Sequence, residues 1–437
     1  MRSYLIIGIK HTIPMNKYHL KLIIAFITLV SFQTSVGQAP YLAAHEFDQN
    51  PWTLSEVDKA IKHCEIKVKQ TLDHLDTYKQ SPRTLHKGEK HWNTKPTGGW
   101  TSGFWAGILW YVYEGTGNEK IKTEAEKFTK EIEILLSKPV KSHDMGFIFH
   151  SSFGNGYRLT GNEEYKKTLL IAADSLSHLY NPKVGTILSW PAQVRKKVFY
   201  PHNTIIDNML NLELLFLASK NSTNSEYYDM AVSHANVTAK NHIRPDNTVY
   251  HVLVYDDQTG ECLRKVTHQG YADESVWARG QAWGIYGYTM SYRETGDKKY
   301  LKLAKKLTTA YLKRLSDDSV PFWDFDDPIP NPVKDASAAA VTASALLELS
   351  EVQSSHKDKI FYRNEAEKML RALTSSDYLA GTKNDAILLH STGNKPKNGE
   401  VDVPIIYADY YYVEALIRLK KILTIEPHQA INQSIKQ

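Results

Sequence analysis

The stretch Tyr113-Glu114-Gly115-Thr116-Gly117-Asn118-Glu119 decides the fold, because the chain repeats it. It returns as Tyr157-Arg158-Leu159-Thr160-Gly161-Asn162-Glu163 and again as Tyr292-Arg293-Glu294-Thr295-Gly296-Asp297-Lys298. Each copy reads as the end of one helix, a glycine able to take the left-handed cap conformation, and an Asn or Asp that starts the next helix. Apolar residues at spacings of three and four follow. They are Leu169, Ala172, Ala173 and Leu176 after the second copy, and Leu301, Ala304 and Leu307 after the third. A degenerate copy without glycine runs from Ser219 to Ala231. More apolar segments lie upstream of the turns: Gly107 to Tyr113, Ile205 to Leu217 and Ala338 to Leu349. Each reads as a helix buried on all sides.

The repeating unit is therefore buried helix, tight turn, amphipathic helix. At about 60–65 residues per unit, roughly 400 residues hold six hairpins. The expectation is an all-α fold, an (α/α)6 barrel, with six hairpins forming a toroid of buried inner and amphipathic outer helices. An open helical solenoid satisfies the same pattern. No linker rich in Pro, Gly or Ser interrupts 50–425, so one helical domain is expected over 38–437. Thr248 to Tyr255, before Asp256-Asp257-Gln258-Thr259-Gly260, is strand-like and predicts a hairpin within one inter-helix loop.

The first 37 residues read as an address. Lys17 to Lys21 are basic, Leu22 to Val30 are apolar, and Ser35-Val36-Gly37 are small enough for cleavage. Met15 is an alternative start. The apolar run is short for a membrane span. The expectation is a signal peptide over 1–37 and a periplasmic or secreted product without a membrane anchor. The same segment carries Arg2, Lys10, Lys17 and Lys21 and no acid, so removing it lowers the formal net charge from +5 to +1. The charge balance then gives no ground for a nucleic-acid partner. Nothing in the pattern demands more than a monomer or weak oligomer. Cys64 and Cys262 stand outside any C-x-x-C, and whether they are free or paired stays open.

The chain contains no Gly-rich phosphate loop, no H-E-x-x-H and no G-x-S-x-G. Its most distinctive segment runs from His268-Gln269-Gly270-Tyr271 through Trp277-Ala278-Arg279-Gly280-Gln281-Ala282-Trp283. A core helix would place Leu, Ile and Val there. Trp offers a flat face suited to a sugar ring, and Arg a planar fork suited to a carboxylate or sulfate. If the inner helices ring a cleft, polar and aromatic residues just before each of them converge on it. Trp100, Phe104, His143, Asp144, Trp190, His202, Asp207, His251 and the loop His390 to Lys397 stand at such points. Asp144 opens a helix and is either an N-cap or a functional acid. Asp207 lies between Ile205-Ile206 and Met209-Leu210. A buried Asp there is either a helix–helix hydrogen bonder or an acid whose pKa burial raises toward neutrality. Asp273 and Glu274 read as caps for the helix carrying Trp277. His251 and His268 lack a third ligand at a useful spacing, so no metal is expected.

Several blocks in order are similar to one family. They are Trp100-Thr101-Ser102-Gly103-Phe104-Trp105, His143-Asp144-Met145-Gly146-Phe147, Asp207-Asn208-Met209-Leu210-Asn211, the Trp277–Trp283 segment and Tyr407-Ala408-Asp409-Tyr410-Tyr411-Tyr412. Together they resemble the unsaturated glucuronyl hydrolases, glycoside hydrolase family 88. The resemblance implies an (α/α)6 barrel that needs no cofactor. The implied activity is removal of 4,5-unsaturated glucuronic acid from the non-reducing end of lyase-generated glycosaminoglycan oligosaccharides, by hydration of the C4=C5 bond. It implies Asp207 as general acid/base and Asp144 as the second essential carboxylate. His251, Gln269, Trp277, Arg279 and Trp283 match substrate-binding positions. Trp100, Phe104, Trp190 and His268 match more loosely as cleft wall. Arg279 either meets the uronate carboxylate or braces a loop. Ser391 and Lys395, with Lys397, lie where relatives meet the second sugar, and they read equally as solvated loop residues. Two other readings remain: an unsaturated rhamnogalacturonyl hydrolase acting on pectin fragments, and a non-catalytic glycan-binding helical protein.

Overall fold

In the computed structural model, which describes residues 51–434, the repeated phrases are helix corners of one design. Gly117, Gly161 and Gly296 take φ of 68°, 66° and 69°, and their N–H groups donate to the carbonyls of Tyr113, Tyr157 and Tyr292. In the next residue, the side chains of Asn118, Asn162 and Asp297 accept from the N–H groups two positions further on, of Lys120, Glu164 and Lys299, at 3.1, 2.9 and 2.9 Å. The Thr before each glycine joins the two helices. Its hydroxyl donates to the carbonyl four residues back and accepts the N–H of the following Asn or Asp. Each corner thus satisfies backbone groups that a helix end leaves unpaired.

The helices alternate as the spacing predicts. The outer helices are α1 (Leu54–Asp73), α3 (Glu119–Ile132), α5 (Glu163–Ser177), α7 (Glu226–Asn241), α9 (Lys298–Leu312) and α11 (His356–Leu373). The inner ones are α2 (Ser102–Thr116), α4 (Asn155–Thr160) with the π-helix Gly146–Gly154 before it, α6 (Asn208–Asn221), α8 (Ala278–Thr295), α10 (Ala336–Glu351) and α12 (Ile406–Ser434). Among the described residues the inner contacts form a cycle. α2 packs on the π-helix, which packs on α6; α6 packs on α8, α8 on α10, α10 on α12, and α12 returns to α2. Each outer helix packs on its inner partner, and α1 covers the seam between α12 and α2. The pattern is that of the (α/α)6 toroid.

Burial matches position. Every residue from Ser102 to Val112 and from Ala278 to Ser291 is buried, as an enclosed helix requires. In outer α3 only Ile121, Ala125, Phe128, Thr129 and Ile132 are buried, at spacings of three and four. The enclosed helices approach closely through small residues. At Gly103 of α2 an added Cβ would collide with the carbonyl of Ile148 and lie 2.6 Å from that of Phe147.

Three features depart from the sequence reading. The strand-like segment is not a lone hairpin. It is the centre of an antiparallel sheet in which β6 (Val252–Tyr255) pairs with both β5 (His202–Ile205) and β7 (Cys262–Val266), after the smaller pairs β1 (Gln80–Thr84) with β2 (Asn93–Pro96) and β3 (Tyr180–Asn181) with β4 (Thr186–Ile187). Ile205, read as helical, ends β5, because Val252 completes its backbone pairing before α6 begins. Asp273 and Glu274 do not cap α8. Asp273 accepts from the N–H of Thr267, and the Ala278 N–H goes to the carbonyl of Trp323. Cys64 and Cys262 are free thiols, Cys64 buried. The expected signal segment lies outside the described residues, among which no helix is long and apolar enough to cross a membrane.

Gly103→Ala is expected to lower stability by about 2–3 kcal/mol, because its methyl group would press on backbone that cannot retreat as a side chain could. Denaturant unfolding measures the loss.

Candidate active site

The three-stranded sheet sets the position of Asp207. Ile205 pairs with Val252, and the N–H of Ile206 donates to the carbonyl of His251 at 3.0 Å. Asp207 follows at the turn from β5 into α6, so its carboxyl stands beside the His251 ring, with Oδ2 3.8 Å from Nε2. That separation exceeds a hydrogen bond. Both atoms are sealed from solvent and neither has a hydrogen-bond partner. The Asp207 side chain as a whole is 14% exposed, and it lines a cavity of about 310 Å³.

The tautomer of His251 follows from its surroundings. Nδ1 accepts the backbone N–H groups of His268 and Gln269 at 3.2 and 3.3 Å. A nitrogen that accepts carries no proton, so in the neutral ring the hydrogen sits on Nε2, facing Asp207. Burial, with the nearby charges of His268 and Arg279, keeps the ring neutral by holding its pKa well below the usual range. Trp277 lies against the ring at 4.4 Å between centroids.

Burial raises the Asp207 carboxyl from 3.8 to about 7. Arg279 and the residue's own backbone N–H oppose the rise, Asp144 adds to it, and the Trp283 indole weakly opposes it. The Trp283 N–H is itself buried without a formed hydrogen bond, so its influence is one of proximity. A second buried acid separates pKa from function. Asp409 of α12 is also pushed to about 7, but its two oxygens accept the N–H groups of Ile387 and Leu388 at 2.9 Å each. Asp409 is tied down as a brace and does not line the cavity, whereas Oδ2 of Asp207 is left unpaired beside it.

Asp144 lines the same cavity just before the π-helix. Its Oδ2 accepts the Ser142 hydroxyl, and Oδ1 is 3.5 Å from Nε2 of buried His143. Asn211 of α6 fixes this corner by accepting the Phe147 N–H at 2.8 Å and contacting His143 Nδ1 at 3.3 Å. No side-chain bond of Asp144 caps the π-helix.

The remaining expected residues divide into wall and support. Trp100, Trp190, His268 and Gln269 line the cavity. Phe104, His251, Trp277 and Trp283 are buried behind it. Arg279 reaches the cavity and donates to the protein from both terminal nitrogens. Nη1 donates to Asp335 and to the Thr392 carbonyl, and Nη2 to the Gly393 carbonyl at 2.7 Å. Gln269 Nε2 donates to the same Gly393 carbonyl at 3.0 Å. Both residues therefore brace the loop 392–393. Ser391 and Lys395 do not line the cavity. Ser391 is buried, its backbone paired both ways with Val403. Lys395 is held by Asp327 at 2.5 Å, because the short 3-10 turn Lys395–Lys397 lays it over Trp323. Lys397 instead reaches His268 Nε2 at 3.0 Å.

The sequence reading passed over Arg83, Lys141, Gln193 and Glu400, all of which line the cavity, as does Asn394 of the loop it did single out. Arg83 forms a two-pronged ion pair with Glu400 at 2.6 and 2.7 Å and lies 5.1 Å from the Trp100 ring. The two sit 317 residues apart on a strand and a loop, where no helical period marks them. Lys141 carried a local signal, being two residues before His143.

Residues 66–421 match the model of Glycosyl Hydrolase Family 88. A protein from Formosa agariphila named unsaturated glucuronyl hydrolase is 40% identical over 384 residues, 86% of this chain and 94% of its own length. An unsaturated chondroitin disaccharide hydrolase from Streptococcus agalactiae is 35% identical over 380 residues, 84% of this chain and 92% of its own. A crystal structure of an unsaturated glucuronyl hydrolase specific for heparin aligns at a TM-score of 0.79 and 40% identity, covering 84% of this chain and 97% of that one. None of these relatives favours the pectin-directed or the non-catalytic reading.

The Asp207 environment has a thermodynamic signature. In the unfolded chain its carboxyl ionises near 3.8, and in the folded chain near 7. Between these values the folded state holds the extra proton, so stability falls as pH rises through the window, and the full penalty is present above it. Asp207→Asn cannot ionise. It is expected to melt at a higher temperature than wild type at about pH 8, with the gap shrinking toward about pH 4. Thermal melts at the two pH values check this, and an equal gap at both would remove burial of the carboxylate as its source.

Proposed function

Since this chain belongs to glycoside hydrolase family 88, we propose that it removes 4,5-unsaturated glucuronic acid from the non-reducing end of glycosaminoglycan oligosaccharides left by polysaccharide lyases. The observation that carries the reading is Asp207. It is an acid with one unpaired oxygen in the cavity wall, raised to about 7, so that it is protonated on the acid side of neutrality.

The substrate has an enol ether across C4 and C5. Protonated Asp207 delivers its proton to C4, and positive charge develops at C5, shared with the ring oxygen. Water adds at C5, and the Asp207 carboxylate takes the water proton, which restores the acid. The hydrated ring is a hemiketal; it opens and expels the neighbouring sugar. One residue serves both proton transfers, so the usual pair of carboxylates flanking an anomeric carbon is not needed. Asp144, on the same cavity wall, holds ring hydroxyls and keeps the Asp207 proton in place by its nearby negative charge. The Nε2–H of His251 steadies the Asp207 carboxylate once the proton has left. Trp100 and Trp190 offer faces for the sugar rings. The Lys17–Gly37 segment supports export of the enzyme to the periplasm or beyond, where such fragments arise.

The test follows the loss of the enol-ether ultraviolet band on lyase-generated chondroitin or heparin disaccharides. Wild type is expected to bleach it, and Asp207→Asn to be slower by on the order of 10²–10⁴-fold. The proton-bearing form is the active one, so kcat/KM is expected to fall as pH rises through about 7. Bleaching by Asp207→Asn at the wild-type rate would overturn the reading.

A further inference from the structure

Away from the cavity, side chains from three separate parts of the chain meet at one point. His74 stands at the C-terminal cap of α1, His91 lies between β1 and β2, and Asp385 lies in the connection from α11 to α12. Nδ1 of His91 is 3.0 Å and Nδ1 of His74 is 3.4 Å from the same oxygen, Oδ2 of Asp385. The two rings are tilted against each other with centroids 3.8 Å apart. The ligand atoms of the three residues all lie within 4.8 Å of one another, and no other trio of His, Cys, Asp or Glu among the described residues does so. The carboxylate is buried at 8% exposure, while His91 and His74 are 55% and 45% exposed.

We propose that His74, His91 and Asp385 bind one divalent transition-metal ion, zinc fitting best. Two imidazoles and a carboxylate are a donor set that zinc accepts, with the fourth position left to water. Bonds of about 2.0–2.1 Å in a tetrahedron put neighbouring donor atoms about 3.3 Å apart. The two N···O separations fall on either side of that edge, so only small side-chain movements are needed. The carboxylate is already placed. The N–H of Asp385 donates to the carbonyl of Lys90, next to His91, at 2.9 Å, and its own carbonyl accepts the Thr71 hydroxyl of α1 at 3.4 Å. One charge opposes the ion. The buried Lys67 ammonium, bonded to the Gly381 carbonyl at 2.9 Å, acts on Asp385 and holds the affinity below that of a closed structural zinc site. The ion would tie α1 to the β1–β2 and α11–α12 connections beside the seam that α1 covers, where the last inner helix meets the first. Binding there favours the folded chain over the unfolded one. The inference stands apart from the hydrolase reading and draws on none of its residues.

Zinc chloride is titrated into the metal-stripped full chain, with heat and the thermal midpoint both recorded. Wild type is expected to bind one equivalent and to gain at least about 2 °C at saturation. His91→Ala and His74→Ala are each expected to weaken binding by at least about tenfold, the lower end of what loss of a group supporting a metal costs. The cavity residues are untouched, so both variants should keep the wild-type circular dichroism and hydrolase rate without zinc, which separates lost binding from lost folding. Absence of stoichiometric binding by wild type, or undiminished binding by both variants, overturns the proposal.

Discussion

An acid at the cavity wall with one oxygen sealed from water and left without a hydrogen-bond partner is the constraint that the rest of the molecule serves. Leaving Oδ2 of Asp207 unpaired is unfavourable, and small domains rarely tolerate such a group. Here the surrounding structure over-determines its position. β5 ends because β6 pairs with it, α6 begins because the sheet stops, and the carboxyl is caught at the turn between them. The His251 ring that faces it is oriented from behind by two backbone N–H groups. Strain of this kind marks working sites, and the contrast with Asp409, more deeply buried but bonded to two backbone donors, shows that burial alone does not.

The ring makes such a site possible. Six inner helices are enclosed by outer ones, and Trp100, Asp144 and Asp207 stand just before three of them, the last two in the segments that lead into the π-helix and α6. The short corners made by Gly117, Gly161 and Gly296 sit at the opposite ends of their helices. The longer connections carry the strands, the π-helix approach and the loop 391–403. Catalytic groups lie in loops held by a rigid frame, a division of labour common in enzymes.

Within that frame charged residues brace the cavity wall. Arg279 donates from Nη1 and Nη2 to the carbonyls of Thr392 and Gly393 and to the carboxylate of Asp335. Its cation also lies 5.2 Å from the Tyr407 ring and opposes the rise in the Asp207 pKa. Arg279 thus shapes the wall and tunes the acid at once. Arg83 with Glu400 plays a comparable part in the same corner, because the Glu400 carboxylate lies against Gly393, whose carbonyl Arg279 and Gln269 hold.

Local signals in the sequence determined the helices, their corners, their inner and outer alternation and the identity of the buried acid. Each is a matter of residues a few positions apart: a glycine with φ near 68°, an Asn two residues from the N–H it caps, an Asp among Ile and Met. The tertiary structure alone decided the rest. That Ile205 is strand rather than helix depends on Val252 lying opposite it, which no helical period records. That Lys395 pairs with Asp327 across 68 residues, and Arg83 with Glu400 across 317, depends on how the ring brings distant loops together. Hydrogen-bond geometry between remote segments leaves no periodic trace in a sequence, because only the folded backbone fixes which donor is left free.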